Sequence, residues 1–156
     1  MALTCRALRE GPEGVEVSEV RRRLLAAIDK ARQAAAERRV RTDTAARDYE
    51  AFLNQRAAPV FHQFAAALKG EGHGFKVFTP AASIRLASER SPEEFIELVL
   101  DDTADPPAVL GRTTRGRGRR TISSERALGG GAPIADLTEE DVLAFLLVEI
   151  VELLER

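Results

Sequence analysis

Apolar residues recur every three or four positions over residues 18–69, and no glycine interrupts them. Advancing about 100° per residue from Val20 places these positions within one arc, which is the pattern of one face of an α-helix. The apolar positions stay on the same helix face across residues 42–44 and across Pro59. A loop of arbitrary length at either place would shift them to another face. The pattern predicts one long helical segment over residues 18–69, with Ser18 as its N-cap and a kink at Pro59.

The first half of this segment offers little apolar surface because most of its stripe is alanine, with Val20, Leu24 and Ile28 as larger members. A straight helix over residues 18–69 would be about 78 Å long, whereas a compact domain of this size has a radius of gyration of about 15 Å. The segment therefore either folds back near Arg41–Thr44 or pairs with another chain. Helical hairpins usually turn at glycine and none is present, so pairing is favoured.

After Gly70 the apolar period changes from a helical one to an alternating one. Phe75–Phe78 and Ser83–Ser88 alternate apolar and polar residues around a Thr-Pro turn, which predicts a strand pair. The segment over residues 94–101 is ambiguous, since Ser91-Pro92-Glu93-Glu94 is also typical of a helix start. An Asp-Pro-Pro turn follows it, so we expect a strand there.

A second apolar run at Ala108–Arg112 follows that turn, and Arg119–Glu125 would be the last strand. Together these segments predict an antiparallel β-meander of four to five strands. The glycines at 129–131 then form a connector to the closing helix.

The closing helix has clear start signals. Thr138 is placed as N-cap, residues 139–141 are acidic, and Leu137 can pack against Val142 as a hydrophobic staple. Its apolar positions cover more than one stripe, because a second set continues around the helix: Phe145, Val148 and Val151. Such a helix is covered on more than one side. We expect the sheet on one side, and residues 49–68 or a second subunit on the other.

The predicted fold class is therefore α+β. A long N-terminal helix, kinked or folded back, precedes the antiparallel meander, and the C-terminal amphipathic helix packs on the sheet. Residues 1–17 contain Gly-Pro and Gly and little periodicity, which predicts a flexible arm. Residues 18–69 form the helical segment, and residues 70–156 form one domain together with residues 45–69.

Composition is that of an ordinary globular domain. The 156 residues are 44% apolar and 31% charged, and none is tryptophan. The single cysteine, Cys5, cannot form an intrachain disulfide, which favours a reducing compartment. No apolar signal-peptide core is present near the start, and the longest wholly apolar run, Val142–Val148, is too short to span a membrane. We expect a cytoplasmic protein without a membrane partner.

Charge is segmented along the chain although the net charge is only -2. Residues 18–41 contain eight Lys/Arg and three Asp/Glu, and residues 112–126 contain six and one, so both blocks have a net charge of +5. Residues 71–111 contain three Lys/Arg and eight Asp/Glu, for a net charge of -5. Residues 127–156 contain one Lys/Arg and seven Asp/Glu, for a net charge of -6. These blocks neutralise each other within the fold or across a subunit contact, or the basic ones bind nucleic acid. The negative net charge favours the first interpretation.

Candidate chemistry is sparse, and we do not expect an enzyme, a cofactor or a metal. The glycine-rich segment at 70–74 follows a helix and precedes a strand, which reverses the order of a dinucleotide-binding fingerprint. His62 and His73 lack the spacing of metal ligands. A mixed site would have to join His73 to Asp101 or Asp102.

An arginine- and glycine-rich segment is the strongest candidate for partner binding. Glycine allows close backbone approach, and the planar guanidinium matches carboxylate or phosphate groups. No aromatic residue lies between Phe95 and Phe145, so the stacking platform of single-strand binders is missing. The arginines concerned are Arg112, Arg115, Arg117, Arg119 and Arg120.

These observations favour a non-enzymatic, self-associating, protein-binding module, of the adaptor or chaperone-like kind, that forms a homodimer or other homo-oligomer. The two helices carry more apolar surface than one chain can cover. The expected association surface consists of Val20, Leu24, Ile28, Phe145, Val148 and Val151. The alternative is a nucleic-acid-binding protein that uses the Arg-Gly hairpin and the arginine-rich first helix.

Overall fold

A computed structural model describes residues 14–155. Most of the predicted arm, together with Cys5, lies outside the described residues. The chain divides into two compact units, Met1–Arg39 and Val40–Arg156. The structure confirms the α+β class, with a long N-terminal helical segment, a five-stranded antiparallel sheet and a C-terminal helix.

The first helix, α1, spans Val17–Phe52 without a break. The alternative in which the helix folds back near residues 41–44 is therefore wrong. The prediction that Ser18 is the N-cap is also wrong, because the Val20 amide donates to the Glu16 carbonyl at 3.0 Å and Ser18 lies within the first turn. Helix boundaries read from sequence commonly differ by this much.

The helical path continues across Pro59, as predicted, and the irregularity takes the form of a π turn over Leu53–Ala57. Proline has no amide hydrogen, and its ring collides with the carbonyl four residues earlier in a regular helix. The wide turn before Pro59 changes the hydrogen-bonding register, and the Ala58 amide donates to the Leu53 carbonyl, five residues back. Helix α2 then spans Ala58–Gly70.

The five strands form an antiparallel meander in sequence order, which confirms the prediction. The segment that could have been helical is strand β3, so the strand prediction was correct. The strands are β1 Phe75–Phe78, β2 Ser83–Ser88, β3 Phe95–Asp101, β4 Ala108–Arg117 and β5 Arg120–Ala127.

The two faces of the sheet differ in chemistry because successive side chains alternate between them. The first face is apolar and belongs to the core that also contains Tyr49, Phe52 and Phe61 from the helices. Its fully buried members are Ile84, Leu86, Ile96, Leu98 and Val109. The second face carries a row of charged side chains, described below.

The closing helix, α3, spans Glu139–Leu154 and begins as predicted. The Thr138 hydroxyl accepts from the Asp141 amide at 3.2 Å, and the Asp141 carboxylate accepts from the Thr138 amide at 2.9 Å. Leu137 and Val142 flank this capping box and are both fully buried. Within the described residues, no helix is long and apolar enough to cross a membrane.

Candidate functional site

The N-terminal half of α1 carries an apolar stripe that is exposed to solvent. Its members follow the three- and four-residue spacing of one helix face: Val17, Val20, Leu24 and Ile28. We call this the basic stripe, because cationic residues border it on both sides. Val20 and Leu24 are 50% and 55% exposed, so the described chain leaves these side chains half uncovered.

The borders of the basic stripe follow from helical geometry at about 100° per residue. Arg21 and Arg32 lie along one side of it, and Arg23 and Lys30 along the other. Asp29 lies on the opposite face of the helix, away from the stripe. Glu19 also lies on the Arg23 side and pairs with Arg23, so a partner that covers these apolar side chains meets uncompensated positive charge mainly along Arg21 and Arg32.

One acidic residue of α1 is already engaged by its neighbours. The Glu19 carboxylate accepts from Arg22 at 2.6 Å and from Arg23 at 3.0 Å. These two hydrogen bonds lower the pKa of Glu19. Since the pairs are exposed, they add little to stability.

A second exposed apolar stripe lies on α3, on the side turned away from the sheet. Leu147, Val148 and Val151 are 53%, 56% and 49% exposed, and Ala144 continues the row. We call this the acidic stripe, because Glu140 and Glu155 stand at its two ends on the same helix face. Val148 and Val151 are where the sequence prediction placed an association surface.

Phe145 does not belong to any exposed surface, and its inclusion in the predicted association surface needs correction. It is 3% exposed and packs over Gly111 of β4, where an added Cβ would overlap its ring. The Arg126 guanidinium lies 5.1 Å from the ring centroid. The apolar run over 142–148 has no polar gap, so the sequence pattern could not separate the buried positions from the exposed ones.

The five arginines of the Arg-Gly segment do not form one cluster. Arg112 lies on the second face of the sheet and is bound by Glu97 and Glu125. Arg115 lies on the other face, 3.9 Å from the Glu152 carboxylate of α3.

Arg117, Arg119 and Arg120 surround the hairpin tip at Gly118, whose φ of 65° favours glycine. All three are exposed, and within residues 14–155 none forms an ion pair within 4 Å.

Sequence reasoning missed a row of alternating charges that crosses four strands on the second face. Glu97 is central: its carboxylate accepts from Arg85 at 2.9 Å and from Arg112 at 3.0 Å. Arg112 also donates to Glu125 at 2.8 Å, and this bond raises the pKa of Arg112 further. The residues are paired by strand register, Arg85 with Glu97, Glu97 with Arg112 and Arg112 with Glu125. No short motif signals such a row, because it exists only after the strands are aligned.

An apolar cleft of about 510 Å³ lies between the end of α1 and the β1–β2 turn. Leu53, Ile84 and Leu100 line it, and Tyr49 stands at its wall. The Tyr49 hydroxyl donates to the Ala82 carbonyl at 2.7 Å, with the Leu98 carbonyl a second acceptor at 3.2 Å. Burial, and then the Glu97 charge, raise the pKa of Tyr49 well above 10.0. This hydroxyl is held neutral and hydrogen-bonded, which makes it a structural group.

The hypothesis of a mixed metal site that joins His73 to Asp101 or Asp102 is wrong. His73 precedes β1 at the end of the sheet where Phe75 pairs with Ser88, and Asp101 closes β3 at the opposite end. Six strand residues separate these ends, which is about 20 Å. Within residues 14–155, no group of three or more His, Cys, Asp or Glu side chains is arranged to hold a metal ion.

Comparison of the chain with protein-family models, with curated proteins and with solved structures finds no match.

Proposed function

We propose that this protein is a non-enzymatic, self-associating, protein-binding module that acts through its exposed helical stripes. The observation that carries the proposal is the half-exposed state of large aliphatic side chains at helical spacing on both α1 and α3. Single exposed apolar residues are ordinary, but residues repeated along one helix face are typical of a docking surface.

The expected strength of association follows from the size of the stripes. Full burial of a Val, Leu or Ile side chain contributes roughly 1.5–3 kcal/mol. The seven large side chains of the two stripes are on average about half covered already, so roughly half of that contribution remains for each. The total, about 5–10 kcal/mol, is comparable to the cost of bringing two chains together. Because the gain only about equals this cost, we expect weak, reversible association whose extent depends on concentration.

Sedimentation equilibrium from about 1 to about 100 μM tests the proposal. The chain has a mass of 17.1 kDa, and we expect an average mass that rises above this value as the concentration increases. Leu24→Gln should weaken association because it removes the centre of the basic stripe. Val40→Gln is the matched control, since Val40 is 63% exposed on the opposite face of the same helix. A constant mass of one chain over the whole range would overturn the proposal.

Nucleic-acid binding is a second candidate, and the hairpin tip is the observation that favours it. Arg117, Arg119 and Arg120 are exposed cations beside a glycine, within reach of a phosphate backbone. Retention of DNA and RNA should fall with rising salt and should be lost when the three are changed to serine. Each lost phosphate contact lowers the salt slope by about 0.9 for B-DNA. Equal retention of the wild type and the triple variant would exclude this use of the hairpin.

A further inference from the structure

We propose that the basic stripe of α1 docks on the acidic stripe of α3 in a second copy of the chain. This inference rests on the proposed self-association and specifies which surfaces meet. The two stripes have the same kind of spacing: Val17, Val20, Leu24 and Ile28 on one, and Ala144, Leu147, Val148 and Val151 on the other. Residues at this spacing interdigitate when two helices pack side by side.

The lengths of the two stripes are compatible. Residues 17–28 extend over about 17 Å of helix, and residues 140–155 over about 23 Å. The basic stripe can therefore lie wholly within the acidic one, with the glutamates at positions 140 and 155 close to its ends.

Charge complementarity selects this pairing over the two symmetric ones. Arg21, Lys30 and Arg32 border the basic stripe and form no ion pair within residues 14–155, so two basic stripes would repel each other. Helix α3 contains five acidic residues and no basic one, so two acidic stripes would also repel. Only the mixed pair brings opposite charges together around an apolar centre.

The acidic groups required for this contact are available. Glu140 and Glu155 are exposed at the ends of the stripe, and Glu152 stands at its flank with only a distant partner in Arg115. Glu149, in contrast, is occupied, since it accepts from the Thr113 hydroxyl at 2.7 Å and pairs with Arg126 at 3.1 Å. The carboxylates of Glu140, Glu152 and Glu155 are therefore accessible to a partner.

Each chain carries one stripe of each kind, and this allows a complementation experiment. Variant A carries Val20→Ser and Leu24→Ser, which removes the basic stripe. Variant B carries Val148→Ser and Val151→Ser, which removes the acidic stripe. All four positions are about half exposed, so we expect both variants to fold, and circular dichroism verifies this.

Neither variant should associate alone, because each lacks one half of the contact. A mixture of A and B should form a mixed dimer, detected by fluorescence-labelled sedimentation, since intact α1 of B meets intact α3 of A. Self-association of B alone would show α1–α1 pairing, and self-association of A alone would show α3–α3 pairing. Either result would overturn the inference while leaving the proposed function intact. A monomeric wild type would instead overturn the proposed function itself.

A charge exchange gives a second test that keeps both contacts in one chain. Arg21→Glu with Arg23→Glu should raise the dissociation constant at least about tenfold, and so should Glu152→Arg with Glu155→Arg. The chain with all four changes should return to within about threefold of the wild type, because the opposite charges meet again. A fourfold variant that associates as weakly as the two double variants would overturn the inference.

Discussion

Glu97 shows how one residue organises the second face of the sheet. Its carboxylate is 4% exposed, whereas Arg85 and Arg112 on either side are 34% and 37% exposed. A buried carboxylate is tolerated only when charged donors satisfy both of its oxygens. Arg85 also lies over the Phe95 ring at 3.9 Å, which fixes the guanidinium in place.

Replacement of this carboxylate is therefore costly. We expect Glu97→Gln to lower the free energy of unfolding by about 2 kcal/mol, because two guanidinium groups lose the charged acceptor between them. Glu125→Gln is the control: Glu125 is 46% exposed, and its loss should cost less than about 1 kcal/mol. Urea denaturation measures both values, and equal losses would contradict the central role of Glu97.

Tyr49 gives a prediction about alkaline pH. Its pKa is raised above that of the unfolded chain by burial and then by Glu97, so the neutral form favours the folded state. This contribution is complete below about pH 10 and is lost as the pH rises above it.

Tyr49 is the only tyrosine and the chain has no tryptophan, so tyrosinate absorbance reports on this group alone. We expect tyrosinate to form only together with unfolding, well above the ordinary pKa of tyrosine. In Tyr49→Phe the stability should depend less steeply on pH above about 10. Ionisation near pH 10 with circular dichroism unchanged would contradict the buried, hydrogen-bonded hydroxyl.

At the scale of elements, the packing of α3 on the sheet depends on a glycine in β4. Gly111 has no side chain, and the Phe145 ring occupies the space where a Cβ would stand. We expect Gly111→Ala to lower the free energy of unfolding by about 1–3 kcal/mol, because the ring must move within a packed core. Gly70→Ala is the control, since Gly70 ends α2 with no atom near an added Cβ. If thermal unfolding shows the same small change in both, α3 does not pack as described.

The elements themselves could be predicted because their signals are local. The capping residues around Thr138 and the strand periods after Gly70 depend on residues within a few positions of each other. The start of α1 was misplaced because Ser18 is a good cap chemically, yet the backbone is already helical at Val17. The burial of Phe145 and the row of alternating charges centred on Glu97 were missed. Both depend on which strand or helix lies opposite, and tertiary packing decides that.

At the scale of the whole molecule, the alternating charge blocks are only partly neutralised inside the fold. The basic block at 112–126 meets acidic residues of the sheet and of α3, through Arg112 with Glu97 and Arg126 with Glu149. The basic block at 18–41 differs, because among the described residues its ion pairs go only to its own Glu19. Among the described residues, Glu140 and Glu155 at the ends of the acidic stripe likewise form no ion pair within 4 Å. In the proposed α1–α3 contact, a second copy would supply the opposite charge to both surfaces.

Zero-length cross-linking tests this contact most directly. Lys30 borders the basic stripe and is one of only three lysines, the others being Lys69 and Lys76. A mixture of unlabelled and ¹⁵N-labelled protein is treated with a carbodiimide, and cross-links between differently labelled chains are identified by mass spectrometry. We expect Lys30 of one chain to be joined to Glu140, Glu152 or Glu155 of the other. Interchain links from Lys30 to acids of α1, or no interchain link at associating concentrations, would contradict the docking of α1 on α3.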